Sequence, residues 1–465
     1  MRDLVTLIDI GSTFTKVLVV DVRQAVCLGR CQVPTTVRQG VQEGVAHACR
    51  SLFARLGLNP CQMPFLACSS AAGGLRMVAV GLVPDLTAEA AKQAALGAGA
   101  RVVGTLSYLL DDVSIAQIIS WQPDLLLLAG GTDGGNERVL LANARRLAGA
   151  KLACPVIVAG NRVVARQAGV ILRQAGIEVT VTENVMPSLG CLNVEPARKA
   201  VRDIFSARIV VAKGMAELQN DLAAPIIPTP AAVLQAVTLL AERSQAGVLA
   251  IDVGGATTDV HSVAEEHPTA SGVIRRGLPE PFRKRNVEGD LGVRSSAGGV
   301  LSAMGGEALA KLAHTLAPEW PLTDFPPRVA QRENDPAFLR TDCPELLCDA
   351  ALAAAAATTA LRRHVGRRYV HPTPAGGRMV QTGKDLTGVS LVIGTGGVLA
   401  HSLLGPAILR SACHCHDESV LAPRNAELRL DKGYLLAAAG LLASLNEEAA
   451  FNLLVNGLVG EKSEG

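Results

Sequence analysis

Two short segments, far apart in the sequence, carry residue types suited to binding phosphate and a divalent cation. They are residues 7–17 (LIDIGSTFTKV) and residues 250–260 (AIDVGGATTDV). Each places a carboxylate, Asp9 or Asp252, between a run of apolar residues and a turn of small residues. Glycine lets a backbone approach phosphate closely, turn N–H groups and hydroxyls donate hydrogen bonds, and aspartate binds Mg²⁺, usually through water. The pair indicates a site that grips a nucleoside triphosphate from two sides.

The two segments match position by position, so they form an internal repeat. Asp9 aligns with Asp252 and Gly11 with Gly254, and the apolar residues on either side of the turns align as well. Each copy is typical of a strand, a tight turn and a second strand. One copy alone is as well explained by an ordinary β-hairpin. Two copies make coincidence much less credible.

A third segment, residues 391–400 (LVIGTGGVLA), is typical of a strand, a glycine-rich turn and the start of a helix. By itself it is a weak signal. In the order hairpin, hairpin, glycine-rich turn, the set resembles the superfamily of actin, heat-shock chaperone and sugar-kinase ATPases. That resemblance implies two lobes, each with a ribonuclease H-like β-rich core, and a nucleotide in the cleft between them. Ala256 departs from the pattern, since many relatives have a third glycine there.

Length and composition exclude several classes of protein. With 465 residues, the chain is expected to form two or more domains. Its formal charge of +2 and its 3% aromatic content give little for nucleic acid to bind. No uninterrupted apolar run reaches the roughly 18 residues of a membrane span, and no signal peptide is recognisable. We therefore expect a cytoplasmic protein whose eleven cysteines are reduced and mostly in the core.

Between the two hairpins, strand and helix patterns alternate from about residue 64 to residue 205. Such alternation predicts a parallel sheet with helices on both faces, inserted in the first lobe. A proline-rich segment at residues 225–230 is a plausible joint between lobes, because proline resists both helix and central strand. We expect a first lobe at residues 1–228 and a second lobe at residues 229–465. Residues 433–443, rich in small side chains, are expected to form a C-terminal hinge helix.

Two other polar segments remain open to more than one interpretation. Residues 128–136 (LAGGTDGGN) follow a predicted strand, where they suit either a ligand loop or a loop whose Asp133 or Asn136 caps a helix. Residues 275–294 are a basic, loop-like run, in which a solvated surface is the commoner explanation and a phosphate or acidic partner the functional one. Its Glu288, Asp290 and Arg294 are candidates for a functional loop.

Three C-terminal segments are predicted to be structural. Residues 321–344 are proline-rich and expected to be irregular, and residues 350–361 form an alanine-rich helix followed by basic residues that favour the helix dipole. Residues 413–417 (CHCHD) offer metal ligands, but neighbours in an extended chain point to opposite sides and no second pair of ligands is evident. A zinc site there is disfavoured.

Beyond the superfamily, the chain resembles one family, the glutamate mutase accessory proteins called MutL or GlmL, which are unrelated to the mismatch-repair protein of similar name. The resemblance covers nearly the whole chain, in residues 8–16, 126–136, 252–259, 287–294, 383–387 leading into 394–397, and 434–443. It implies an ATP-binding, Mg²⁺-dependent and ATP-hydrolysing chaperone that reactivates an adenosylcobalamin-dependent mutase. Its expected partners are mutase subunits, and a homodimer is left open.

On that resemblance, Asp9 and Asp252 are the candidates for holding Mg²⁺ and orienting a water molecule. Glycine, hydroxyl and lysine side chains of the two hairpins are candidates for phosphate contacts, and the third segment is the candidate for the adenosine side. These residues are Gly11, Ser12, Thr13, Thr15, Lys16, Gly254, Gly255, Thr257, Thr258, Gly394, Gly396 and Gly397.

Two other functions of the same fold remain open. A small-molecule kinase would turn over ATP only with an added acceptor, and no acceptor-binding motif is identifiable. An iron–sulfur activator of a dehydratase would need cysteines at a contact between subunits and would be brown when purified.

Overall fold

In the computed structural model of the chain, the described residues are 3–11, 14–35, 41–59, 63–70, 75–98, 100–150, 152–212, 222–265, 272–320, 324–339, 342–374, 376–414 and 417–460. The strands are β1 Leu4–Ile10, β2 Phe14–Asp21, β3 Val26–Pro34, β4 Phe65–Ser69, β5 Arg76–Gly81, β6 Arg101–Ser107, β7 Leu125–Leu128, β8 Val156–Val158, β9 Val179–Val181, β10 Ile227–Pro228, β11 Val248–Val253, β12 Thr258–Val263, β13 Ile274–Arg276, β14 Arg283–Glu288, β15 Arg367–Thr373, β16 Gly376–Thr382, β17 Leu391–Thr395, β18 Glu427–Leu430 and β19 Val459–Gly460.

The four helices from Ala297 to His364 follow one another without a described strand between them, and all the helices are numbered in chain order. They are α1 Val41–Leu56, α2 Glu89–Gly97, α3 Asp112–Trp121, α4 Arg138–Gly149, α5 Arg162–Gln174, α6 Glu195–Ala212, α7 Thr229–Ser244, α8 Ala297–Met304, α9 Gly306–Leu316, α10 Pro326–Asn334, α11 Cys343–His364, α12 Gly397–His401, α13 Gly405–Cys413, α14 Leu435–Leu442 and α15 Glu447–Gly457.

The two lobes contain mixed sheets with the same strand order. The first sheet runs β3-β2-β1-β4-β10, and the second runs β14-β12-β11-β17-β18-β19. In each lobe the first two strands, β1 and β2 or β11 and β12, form an antiparallel hairpin. On its other side, β1 pairs with β4 and β11 pairs with β17, and both of these pairs are parallel. This duplicated order confirms the predicted two-lobed, actin-like ATPase fold with a ribonuclease H-like core in each lobe.

The first lobe carries a separate parallel sheet of order β6-β5-β7-β8-β9, with α2 to α5 between its strands. Its strands and helices lie within a few residues of the predicted ones. The predicted block began at about residue 64, and there the structure differs. Strand β4 pairs with β1 in the first sheet, since its buried apolar residues fill the position beside that strand. The inserted sheet starts at β5.

One apolar core joins the lobes. It contains helices α7 and α14 together with buried residues of both sheets, among them Leu7 of β1 and Ala250 of β11. The eight residues of α14 are all buried. A Cβ atom on Gly440 would collide with the backbone carbonyl oxygen of Ala232 in α7, so glycine allows these helices to approach closely. The predicted hinge helix thus packs against the helix that follows the first sheet.

Helix α11 forms the centre of the second lobe. Its alanine-rich middle is buried from Ala350 to Ala357. In the described part of the chain, α11 alone has the length and mean hydropathy of a membrane span, and 72% of its apolar window is buried within the protein. Core helices of this kind pass the same test, so the finding is weak evidence for a span.

Two segments are more regular than predicted. Within residues 321–344, expected to be irregular, Pro326–Asn334 forms α10; two prolines occupy its first turn, where their missing N–H groups cost no helical hydrogen bond. Within the basic run at residues 275–294, β13 and β14 are strands. Strand β14 is the edge of the second sheet, a position that tolerates charged residues.

Replacing Gly440 with alanine should force α14 away from α7. Overpacking of this kind costs about 1–3 kcal/mol, so we expect the free energy of unfolding in urea to fall by that amount. Gly149→Ala is the matched control, because a Cβ atom there meets open space. Equal stability of the two variants would show that the helices are not in close contact.

Candidate functional site

The turns of the two hairpins have the same backbone geometry. The N–H of Gly11 donates to the carbonyl of Phe14 over 3.0 Å, and the N–H of Gly254 donates to that of Thr257 over 2.9 Å. A Cβ atom at Gly11 would lie 2.5 Å from the Phe14 oxygen, and one at Gly254 would lie 2.9 Å from the Thr257 oxygen. Both turns therefore require glycine where they close.

Two of the predicted hydroxyl ligands instead hold the turns in place. Thr15 is buried, and its Oγ1 lies 3.0 Å from Oγ1 of Thr35, which donates to the Gly11 carbonyl over 2.9 Å. Thr258 is also buried, and its Oγ1 donates to the Leu291 carbonyl over 2.6 Å. Both hydroxyls are engaged within the protein.

Four other residues of the two turns are predicted to contact phosphate. Gly255 and Thr257 are partly exposed, and the Thr257 hydroxyl lies 3.4 Å from Oδ2 of Asp259. Ser12 and Thr13 lie outside the described residues.

The ammonium of Lys16 lies where the lobes meet. Its Nζ atom is 3.2 Å from Oδ2 of Asp9 in the same hairpin and 4.1 Å from the ring centroid of Tyr434, beside α14. Burial disfavours the charged amine, but the charge of Asp9, aided by Tyr434 and Asp252, outweighs burial and raises the pKa of Lys16. A permanently cationic group suited to phosphate is thus held between the lobes.

The equivalent pair of residues in the second lobe consists of two carboxylates, where the first lobe has a carboxylate and an ammonium group. Asp9 faces Lys16 across the first hairpin, whereas Asp252 faces Asp259 across the second. Burial and the charge of Asp259 raise the pKa of Asp252 to about 7, against the opposing effect of Lys16. Asp259 itself is ion-paired with Arg285 over 2.7 Å. Asp252 makes no hydrogen bond or ion pair within the described part of the chain, so its carboxylate is available to a ligand.

The third motif adjoins Asp252. Gly396 has φ of 102°, and a Cβ atom there would lie 3.0 Å from Oδ1 of Asp252 and collide with the Val253 carbonyl oxygen. Gly397 faces open space, whereas Gly394 packs against Leu430 and Leu409 inside the sheet. Of the predicted adenosine-side glycines, Gly396 and Gly397 border the cleft and Gly394 fills a packing position.

Arg294 supports the second hairpin from behind. Its backbone N–H donates to the Gly255 carbonyl over 2.8 Å, and its guanidinium makes a bidentate pair with Asp349 of α11, with both distances 2.8 Å. Arg332 binds the same carboxylate over 2.7 Å. This buried network ties the loop and hairpin to α11. The donors of Arg294 are occupied, so its role is to position the hairpin.

Glu288 and Asp290, the other candidates in this loop, pair with the guanidinium of Arg363 at the end of α11. The distances from its Nη1 atom are 2.7 Å to Glu288 and 2.9 Å to Asp290. The side chain of Asp290 is half exposed. The structure thus places these carboxylates in a surface ion-pair network.

Sequence reasoning missed three residues at the cleft. Thr229 donates to Oδ1 of Asp9 over 2.8 Å. Asp431 is buried and accepts from the first N–H groups of α14, at 2.7 and 3.0 Å; burial raises its pKa, opposed by these bonds. Tyr434 adopts the left-handed conformation, with φ of 56°. The repeat offered a signal, because Thr229 and Asp431 each come directly after the equivalent strand, β10 or β18, and Thr229 starts α7 whereas Asp431 lies four residues before α14.

Two other polar segments are engaged internally. In the inserted block, Asn136 accepts from the N–H of Val139 over 3.0 Å, and Asp133 accepts from that of Arg162 over 2.9 Å. These bonds favour the helix-capping interpretation of the loop at residues 128–136. At the CHCHD segment, Cys415 and His416 lie outside the described residues.

A divalent cation fits the cleft as a partner of the nucleotide. Among the described residues, no group of three or more acidic, histidine or cysteine side chains converges as a ready-made metal site. Mg²⁺ is typically held by one or two carboxylates, water and substrate phosphates, so it does not need such a cage. The raised pKa of Asp252 reflects negative charge that a cation would offset.

Comparison with known proteins gives one family. The family model described as MutL protein matches residues 5–458. Protein MutL from Clostridium tetanomorphum is 43% identical over 464 residues, which cover 98% of this chain and 99% of that protein.

Similarity to solved structures is far more distant. Xylulose kinase from Bifidobacterium adolescentis has a TM-score of 0.33 and 12% identity, covering 99% of this chain and 96% of the kinase. The activator of 2-hydroxyisocaproyl-CoA dehydratase from Clostridium difficile, with bound ADPNP, has a TM-score of 0.33 and 10% identity, covering 98% and 97%. These likenesses carry no argument about function.

The pKa of Asp252 makes stability depend on pH in a defined direction. Because the folded-state pKa is about 7 instead of 3.8, the folded protein binds the proton more tightly, and stability is lost as the pH rises between these values. We expect Asp252→Asn to unfold with a free energy about 2–4 kcal/mol above that of the unmodified protein at pH 8. This advantage should shrink at pH 5, in urea titrations without nucleotide.

A suitable control is Glu307→Gln, since Glu307 is an exposed carboxylate on α9. That variant should follow the unmodified protein at both pH values. An Asp252→Asn difference that is the same at pH 5 and pH 8 would contradict the assigned pKa.

Proposed function

The chain belongs to the MutL protein family, and from this premise we propose that it is a cytoplasmic, Mg²⁺-dependent ATPase that reactivates an adenosylcobalamin-dependent mutase. Glutamate mutase or a related amino acid mutase is the proposed partner. The choice of a mutase as partner rests on the family resemblance. The proposed ATPase activity is supported by the geometry of the cleft.

The observation that carries the ATPase proposal is the position of Lys16. It belongs to the first hairpin but lies over Tyr434 and interacts with Asp252 of the second lobe. A triphosphate that replaced part of this contact would meet a cation from one lobe and a turn of small residues from each. Gly396 packs closely against Asp252, and the neighbouring Gly397 faces open space that could take the rest of the nucleotide.

Hydrolysis needs a positioned water molecule and stabilised charge. When bound with ATP, Mg²⁺ would neutralise charge on the β- and γ-phosphates, with Asp9 and Asp252 as the carboxylates that hold it. Lys16 would offset charge that develops on the transferred phosphoryl group. As one of the carboxylates beside the metal, Asp252 would also orient the attacking water molecule.

Reactivation requires that ATP chemistry change a surface that the mutase binds. A mutase that has lost its adenosyl group keeps a tightly held, inactive cobalamin. Two lobes joined through α7 and α14 can differ in their relative orientation, and closed and open forms present different surfaces. ATP and its hydrolysis products shift that equilibrium only through their different affinities for the two forms.

Asp252→Asn should reduce Mg-ATP turnover by at least about 100-fold, because a charged group at the reacting phosphate is lost. Phosphate release is the measurement, with Glu307→Gln as the control that retains normal turnover. Undiminished hydrolysis by Asp252→Asn would reject its role. Turnover that appears only with an added small-molecule acceptor would favour a kinase instead.

The chaperone role is tested with the adenosylcobalamin-dependent mutase of the same organism. After inactivation with adenosyl-free cobalamin, mutase activity should return on addition of this protein, Mg-ATP and fresh adenosylcobalamin. It should not return with a non-hydrolysable ATP analogue or with the Asp252→Asn variant.

Recovery that is independent of ATP, or no recovery with an ATPase-competent protein, would contradict the chaperone role and leave the ATPase assignment standing. A brown preparation with an iron–sulfur absorption spectrum would favour a reductive activator over a chaperone.

A further inference from the structure

A second cavity lies between walls that belong to different lobes. We call it the basic cleft. One wall is formed by α2 and α6, and the other by β14, the end of α11 and the starts and ends of β15 and β16. Its volume is about 310 Å³, and eight basic but two acidic side chains line it among the described residues. Basic side chains therefore outnumber acidic ones in the lining of the cleft.

The Nε–H groups of two arginines in the wall of this cleft have no acceptor among the described residues. Arg198 and Arg285 are each only 5% exposed, and the Nε atom of each has no hydrogen-bond partner in the described part of the chain. The other nitrogens of Arg285 donate to the Leu96 carbonyl over 3.0 Å and to Asp259 over 2.7 Å. A buried donor without an acceptor is costly. The wall of the cleft thus contains two buried N–H groups whose acceptor is missing.

The surroundings of Arg198 add to this imbalance. Burial lowers its pKa, Glu195 opposes that effect over 2.6 Å, and the neighbouring cations Arg202 and Arg283 lower it further. One carboxylate does not offset the positive charge around this side chain.

The mouth of the cleft is cationic as well. Arg362 and Arg367 are exposed there and form no ion pair among the described residues. Other lining cations are paired, for example Arg363 with Glu288 and Asp290. A paired carboxylate offsets its cation, so among the described residues the unpaired charge of the cleft is that of Arg362 and Arg367.

The basic cleft is lined by none of the residues assigned to the nucleotide site, although Arg285 in its wall pairs with Asp259 of the second hairpin. Helix α7 spans the distance, because Thr229 at its start donates to Asp9 and Glu242 near its end pairs with Arg283 over 2.7 Å. At 1.5 Å per residue, the helical segment from Thr229 to Glu242 is about 20 Å long. One nucleotide bound at the hairpins does not fill both clefts.

We propose that the basic cleft binds a small anion that carries two or more phosphate groups. Arginine forks match phosphate oxygens in bidentate geometry, and a multiply charged anion can contact both walls at once. Since the walls belong to different lobes, such an anion favours the arrangement in which they face each other. This site does not depend on the proposed chaperone role.

Titration calorimetry with inorganic pyrophosphate tests the proposal on the full chain. The nucleotide cleft is first saturated with a non-hydrolysable ATP analogue and Mg²⁺, so that added pyrophosphate reports the second site. We expect one pyrophosphate to bind per chain. The double variant Arg362→Gln/Arg367→Gln should weaken it by about tenfold, as expected for lost charge-assisted hydrogen bonds.

Arg378→Gln is the matched control, because Arg378 is exposed on β16 and does not line the cleft. This variant should bind pyrophosphate as the unmodified protein does. Arg362 and Arg367 are also exposed, so the double variant should keep the unfolding curve of the unmodified protein. No binding in the presence of the analogue, or equal affinity of the double variant and the control, would overturn the proposal.

Discussion

One partly buried positive charge, that of Lys16, lies among carboxylates contributed by both lobes. Lys16 pairs with Asp9 at 3.2 Å and interacts with Asp252. In the second hairpin, the position equivalent to Lys16 is occupied by the carboxylate Asp259, so that hairpin has no cation there. Without a ligand, this arrangement leaves Asp252 with a pKa of about 7. The carboxylates in the cleft therefore outweigh its positive charge. A bound cation and its phosphates would change this charge balance, on which the proposed change in the relative position of the lobes depends.

The same charges reach the helices that join the lobes. Tyr434, under the Lys16 ammonium, directly precedes α14, and Asp431 accepts hydrogen bonds from the first N–H groups of that helix. Tyr434 is held in a left-handed conformation that costs free energy in a side chain of its size. Helix α14 in turn packs against α7 at Gly440. Direct contacts thus connect the charged groups of the cleft, through Tyr434 and Asp431, to the helices that join the lobes.

The repeat in the sequence predicted the duplicated sheets, because each copy joins an apolar strand to a turn that needs glycine. It also predicted that Asp9 and Asp252 would occupy equivalent strand ends. The sequence did not separate hydroxyls that hold a turn, such as Thr15 and Thr258, from groups open to a ligand, because that depends on Thr35 and Leu291 in other segments.

Long-range contacts also explain the remaining differences. The carboxylate partner of Arg294, Asp349, is 55 residues away in the chain, so it leaves no local pattern. Strand β4 was assigned to the wrong sheet because an apolar run predicts a buried strand but does not name its neighbour. Prolines at residues 326 and 327 suggested irregular structure, although they suit the first turn of a helix equally well.

The most direct test of the central claim, that one triphosphate is held by both hairpins together, is amide hydrogen exchange with and without Mg²⁺ and a non-hydrolysable ATP analogue. Exchange should slow in residues 11–16 and in residues 254–258 at the same analogue concentration, with one shared midpoint. Protection confined to one hairpin, or separate midpoints for the two, would contradict a shared nucleotide.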